Sequence, residues 1–125
     1  MNRNELRDFC LSLTGAVEDF PFGIDVAVFK VKGKMFALLP VIADPLTISL
    51  KSDPIEAVML REMYKSVQPG YHLNKKHWNT VTLNGEIPDT QVCEMIEDSY
   101  TLVRQTLTRK DQKALQALED NDSTS

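Results

Sequence analysis

The stretch "DVAVFKVKGKMFALLP", Asp25 to Pro40, constrains the fold more than any other part of the chain. Val26, Val28 and Lys30 alternate with Ala27, Phe29 and Val31, the period-two pattern of a strand. Lys32-Gly33 then offers a short turn, and Met35 to Leu39 return as an apolar run that Pro40 ends. A return strand without polar positions belongs in the middle of a sheet with both faces covered. The rest of the chain must therefore supply further strands beside this hairpin and helices above it.

Both are legible. A third strand is expected over Leu46–Lys51, after the turn "ADP", and another in "HWNTVTLN". In the latter, Trp78, Thr80 and Thr82 face one way and His77, Asn79, Val81 and Leu83 the other. Asn2 and Glu5 form a capping box for a first helix carrying Leu6, Phe9, Cys10 and Leu13, with Gly15 as its stop. Asp53, Pro54 and Glu56 are a second helix start, followed by Ile55, Val58, Met59 and Met63 as its buried stripe. From Asp89 a long helix is expected with Val92, Met95, Ile96, Ser99, Val103 and Leu107 on one face. "RKDQKALQAL" either extends or breaks that helix. "EDFPFGID" reads as a connection whose Phe20 and Phe22 pack onto the sheet edge. The expected architecture is α+β, an antiparallel sheet with helices packed on it, as one domain over residues 1–118. Residues 119–125, "EDNDSTS", are expected to be a disordered acidic tail.

The 125-residue length suits a single core, and 42% hydrophobic with 26% charged residues is the balance of a soluble globular protein. No apolar run approaches the roughly 20 residues of a membrane span, and the polar N-terminus has no signal-peptide core, so a cytoplasmic, monomeric protein without a membrane partner is expected. Charge is uneven. Residues 1–29 hold two bases and five acids, residues 30–77 eight bases and four acids, and residues 78–125 four bases and nine acids, for a net −4. That excludes a uniformly basic nucleic-acid coat but leaves a basic central surface.

Catalytic and metal signatures do not emerge. Cys10 and Cys93 fall in apolar helical stripes, where thiols are free and inert. His72 and His77 flank a bend with two lysines, a poor zinc site. The pairs Glu18-Asp19, Glu97-Asp98 and Glu119-Asp120 lie near element ends or on solvated helix surfaces. No enzyme activity and no cofactor is expected. What stands out is "VQPGYHLNKKHWNTV", Val67 to Val81, which gathers Tyr71, His72, Lys75, Lys76, His77 and Trp78. Lysines neutralise phosphates and an exposed aromatic ring stacks on bases. Lys30, Lys32 and Lys34 at the hairpin tip extend the same surface as a wing does. A plainer reading puts Tyr71 and Trp78 in the core and the lysines on a solvated loop.

"FPFG", Phe20 to Gly23, "VFKVKGKMFALL", "SLKSDP" and "PGYHLNKKHWNTV" together resemble the MmcQ/YjbR proteins, small bacterial domains. The resemblance runs from about Phe20 to about Leu107. It implies an α+β fold with an antiparallel sheet, packed helices and winged loops, similar in outline to type III secretion chaperones and frataxin-like domains. Members are commonly described as DNA-binding, which implies a DNA surface at Lys30, Lys32, Lys34, Lys75, Lys76 and their neighbours. The leading expectation is therefore a non-catalytic DNA-binding protein. The alternative is a protein-interaction or chaperone-like module binding a partner chain at a sheet edge or apolar groove. A third reading is a small phosphorylated ligand framed by Tyr71, His72, Lys75 and Trp78.

Overall fold

The structure, a computed structural model, describes residues 1–71 and 73–123, without the side chains of Asp122 and Ser123. Among these residues the helices are α1 (Arg3–Ser12), α2 (Pro54–Met63), α3 (Asp89–Gln105) and α4 (Arg109–Ser123). The strands are β1 (Ala16–Asp19), β2 (Val26–Val31), β3 (Lys34–Pro40), β4 (Thr47–Lys51), β5 (Val67–Pro69) and β6 (Trp78–Thr82). They form one antiparallel sheet in the order β1-β2-β3-β4-β6-β5. The α+β architecture is as expected.

The β2–β3 hairpin organises it. At the tip, Lys32 and Gly33 both take positive φ, +49° and +81°, the combination whose twist matches the flanking strands. Phe29 pairs with Ala37 and Lys30 with Met35, so Phe36 is the extra residue of a bulge. The bulge lets Phe36 and Ala37 both enter the main core, where each is fully buried. β3 and β4 share only two register pairs, Ala37 with Leu50 and Leu38 with Ser49. Where that ladder stops, Ser99 of α3 takes over. Its Oγ donates to the Phe36 carbonyl at 2.6 Å and accepts from the Lys51 amide at 2.9 Å.

All four helices serve one face of the sheet. Ala27, Phe29, Val31, Ile48, Leu50 and Val81 meet Leu6, Cys10, Val92, Ile96, Val103 and Leu115 in a single core. The opposite face carries a smaller cluster of Val28, Leu38 and Trp78, edged by Val26, Met35 and Leu73. Among the described residues only loops, and no helix, cover it.

Local expectations mostly hold. Asn2 and Glu5 make the capping box of α1, and Asp53 accepts from the Ile55 and Glu56 amides ahead of α2. The six residues assigned to the inner face of the long helix are all buried. β1 and β5 were not anticipated: four and three residues give too short a period to read, and Pro69 suits β5 to an edge.

Three expectations need correction. Phe20 and Phe22 do not pack onto the edge; both are exposed, Phe22 at 64%. The stripe Ile55, Val58, Met59 and Met63 faces solvent, and α2 buries Ala57 instead. Asn79 fixes that rotation, donating to the Ala57 carbonyl at 3.1 Å and accepting from Arg61 Nε at 2.6 Å. A charge-assisted bond made at a partly buried site outweighs the apolar side of this short helix. Finally, residues 119–123 are not disordered: α4 continues through Ser123, while residues 124–125 of the expected tail lie outside the described residues. Glu119 holds both Arg104 nitrogens, at 2.8 and 3.0 Å, and accepts from Thr14 Oγ1 at 2.9 Å. Gly15, at φ +73°, leaves room for Leu115, whose Cδ2 would lie 2.5 Å from a Cβ placed there. A side chain at Gly15 is excluded twice over, by strain and by contact.

Candidate functional site

Strand register decides which lysines come together. β2 runs toward the hairpin tip, β4 ends at the same side, and β6 starts there with Trp78 opposite Lys51. The tip at Lys32 and the connection between β5 and β6 therefore share one end of the sheet. The ammonium groups nevertheless part. Lys30 pairs with Asp19 at 2.9 Å and holds that carboxyl below its ordinary range, with help from the Phe20 amide. Lys34 donates to the carbonyl and hydroxyl of Thr106, both at 3.2 Å, closing the C-terminal end of α3 on the helix-covered side. Lys75 turns back on its own loop and donates to the Gly70 carbonyl at 3.1 Å. Lys32 and Lys76 are exposed, and no side-chain partner for either is found among the described residues. Two of the five expected phosphate-binding lysines thus have unengaged ammonium groups.

The aromatic pair separates as well. Trp78 is 8% exposed, packed against Val28 and Leu38, so it presents no ring face for stacking. That part of the expected surface is corrected, and the reason is strand parity: Trp78 opens β6 pointing at the apolar side chains of β2 and β3. Tyr71 is 73% exposed and stays at the surface. His77 is half-buried, with its amide bonded to Asn74 O and its carbonyl accepting from the Ser52 amide at 2.8 Å. His72 lies outside the described residues.

Arg61 is a residue that sequence reasoning missed. Besides Asn79, its guanidinium binds the Lys75 carbonyl, so one side chain ties α2, β6 and the lysine loop together. A single Arg in a helix otherwise read for apolar spacing gives no signal of this. Two other titratable groups, Glu18 and Cys10, are committed to structure. Glu18 takes Arg7 bidentately at 2.9 and 3.0 Å. Burial pushes the Cys10 thiol up to about 12, far from a reactive thiolate. Among the described residues no group of three or more His, Cys, Asp or Glu is placed to hold a metal ion.

Two groups of exposed apolar side chains stand out among the described residues. One is the outward line of α2, with Ile55 at 72%, Val58 at 48%, Met59 at 53% and Met63 at 63% exposure. The other is the helix-free sheet face, where Phe22 and Tyr71 stand over a groove floored by strands. No helix of the described residues is long and apolar enough to cross a membrane.

Among the described residues, an antiparallel six-stranded sheet with every helix on one side, and a loop-flanked open face on the other, defines a small α+β domain. The chain belongs to the YjbR family, whose model matches residues 11–102. It is 32% identical over 115 residues to the uncharacterised protein YjbR of Escherichia coli K12, covering 92% of this chain and 98% of that one. It is 42% identical over 94 residues to YbdF of Escherichia coli O157:H7, covering 75% and 77%. A crystal structure of a Deinococcus radiodurans protein with the domain DUF419 superposes with a TM-score of 0.85 at 43% identity, covering 90% of this chain and 86% of the other. The α+β fold with an antiparallel sheet and packed helices, which the sequence resemblance implies, is thereby established.

Proposed function

We propose that the protein is a non-catalytic protein-interaction module, chaperone-like in kind, whose partner covers the outward line of α2. The observation supporting this is the exposure of Ile55, Val58, Met59 and Met63 at successive helical spacings. Apolar side chains aligned on one helix face lose contact with water only if a second surface arrives. Methionine adapts to varied shapes. Asp53, Glu56 and Glu62 are exposed beside the line, so the fitting partner is an apolar segment flanked by Lys or Arg. A cytoplasmic setting is part of this proposal.

The test is capture of the partner by the tagged chain in its native host, with nuclease treatment. One stoichiometric protein should be retained after nuclease and by Lys75→Glu/Lys76→Glu, and lost with Met59→Glu/Met63→Glu. Retention by the methionine double variant contradicts the reading.

A second reading, DNA binding, is favoured by one observation: Lys32, Lys75, Lys76 and Tyr71 belong to connections at the same end of the sheet. It predicts that log K falls by about 0.9 per neutralised phosphate per decade of salt, and that Lys75→Glu/Lys76→Glu abolishes binding. Undiminished DNA affinity in that variant removes it. The net charge of −4 and the commitment of Lys30 and Lys34 to other partners place it second.

A further inference from the structure

The helix-free sheet face holds a groove of about 440 Å³, within the range of small-molecule sites. Val26, Leu38, Pro40, Thr47, Ser49 and Thr80 floor it. Phe22 rises from the β1–β2 connection on one side, and Tyr71 and Leu73 from the β5–β6 connection on the other. From β2 to β6 there are three strand spacings, about 14 Å, so the two walls bracket the central strands.

Three features narrow the occupant. First, among the described residues no charged side chain lines the groove, so a charged ligand would find no compensation from them for its lost hydration. Second, the floor strands are paired on both sides, so a peptide finds no free strand edge to extend. Third, the hydroxyls of Ser49 and Thr80 lie 2.8 Å apart, and Thr80 Oγ1 also accepts from the Tyr71 amide at 3.1 Å. Two hydroxyls carry two protons, and one is used between them. Whichever donates to the other, one proton is left over, and no further acceptor for it is found among the described residues.

We propose that this groove is a binding site for a small, neutral, mainly apolar ring compound bearing one acceptor oxygen. Its rings lie between Phe22 and Tyr71, and its oxygen accepts from the Ser49–Thr80 pair. The site is separate from the α2 line and does not depend on it.

Prodan, a neutral naphthyl ketone whose emission shifts blue in apolar surroundings, is a suitable probe. It is titrated into the full chain carrying Met59→Glu/Met63→Glu, which removes the helix line as another dye site. The expected result is a saturable blue shift at one dye per chain, with naphthoate, the charged analogue, failing to compete. Phe22→Ala/Tyr71→Ala should weaken binding at least tenfold. Because both rings are exposed, that variant folds, as an unchanged circular dichroism spectrum would verify. Ser49→Ala/Thr80→Val, which removes both hydroxyl protons, should weaken prodan about threefold to tenfold while leaving ketone-free naphthalene unaffected. No saturable shift, or a shift that survives Phe22→Ala/Tyr71→Ala, overturns the proposal. Equal loss for prodan and naphthalene in Ser49→Ala/Thr80→Val, or no loss for either, overturns the assignment of the acceptor.

Discussion

The two faces of the sheet are built from the same strands and put to different use. On the covered face Phe29, Phe36, Ile48, Leu50 and Val81 are sealed by helices. On the other, Val28, Leu38 and Trp78 make a small plug beside a groove whose rim rings, Phe22 and Tyr71, are left to solvent. An apolar ring contributes to stability in proportion to the area it loses on folding, so a mostly exposed one contributes little. The rim rings are therefore available for binding, and the covered rings for holding the domain together.

The sharpest way to break this contrast is a pair of matched truncations. Phe29→Ala, on the covered face, should cost about 3–5 kcal/mol in chemical denaturation. Phe22→Ala should stay within about 0.5 kcal/mol. A comparable loss in the second would mean that the open face is ordinary core.

Hydroxyls allow a finer comparison. Ser99→Ala strands the Phe36 carbonyl and the Lys51 amide together, for an expected loss of about 2–3 kcal/mol. Ser49→Ala removes one partner from a pair at the groove and should cost about 1 kcal/mol or less. Melting curves of the two variants give the order directly.

How much of this the sequence carried depends on element length. The hairpin, the caps at Asn2 and Asp53, and the inner face of α3 were legible because each repeats a local rule over many residues. β1 and β5 were not, because short edge segments owe their pairing to neighbours distant in the chain. The orientation of α2 was misread for a related reason. Its two sides are both apolar at helical spacing, and the choice between them rests on Asn79 and Arg61, 18 residues apart. Of the candidate site, Lys32, Lys76 and Tyr71 lie at the surface, a position that the sequence leaves open for Tyr71. The burial of Trp78 and the diversion of Lys30 and Lys34 depend on strand parity and on Asp19 and Thr106, which no local pattern announces. The groove residues Thr47, Ser49 and Thr80 look like ordinary strand polarity until register sets Ser49 opposite Thr80.

The smallest effect concerns α4. Arg104 and Thr14 hold the Glu119 carboxyl down at about 2, below its ordinary value near about 4.3. A carboxyl lowered on folding adds stability above its unfolded pKa, and that contribution fades as pH falls from about 4.3 toward about 2. The pair is partly exposed, so the effect should be at most about 1 kcal/mol. Glu119→Gln should lower the melting temperature slightly at neutral pH and converge with the parent chain near pH 2. A constant difference across that window would remove the ion pair as the cause.

The division between the faces is tested most directly by one thermal melt, run on the Met59→Glu/Met63→Glu chain as parent and on the same chain carrying Phe22→Ala/Tyr71→Ala, each with and without prodan. A ligand bound only by the folded state raises the melting temperature. The account predicts equal melting temperatures for the two chains alone, and a rise with prodan for the parent only. A double variant that melts well below the parent without dye, or that gains as much from prodan as the parent does, would contradict it.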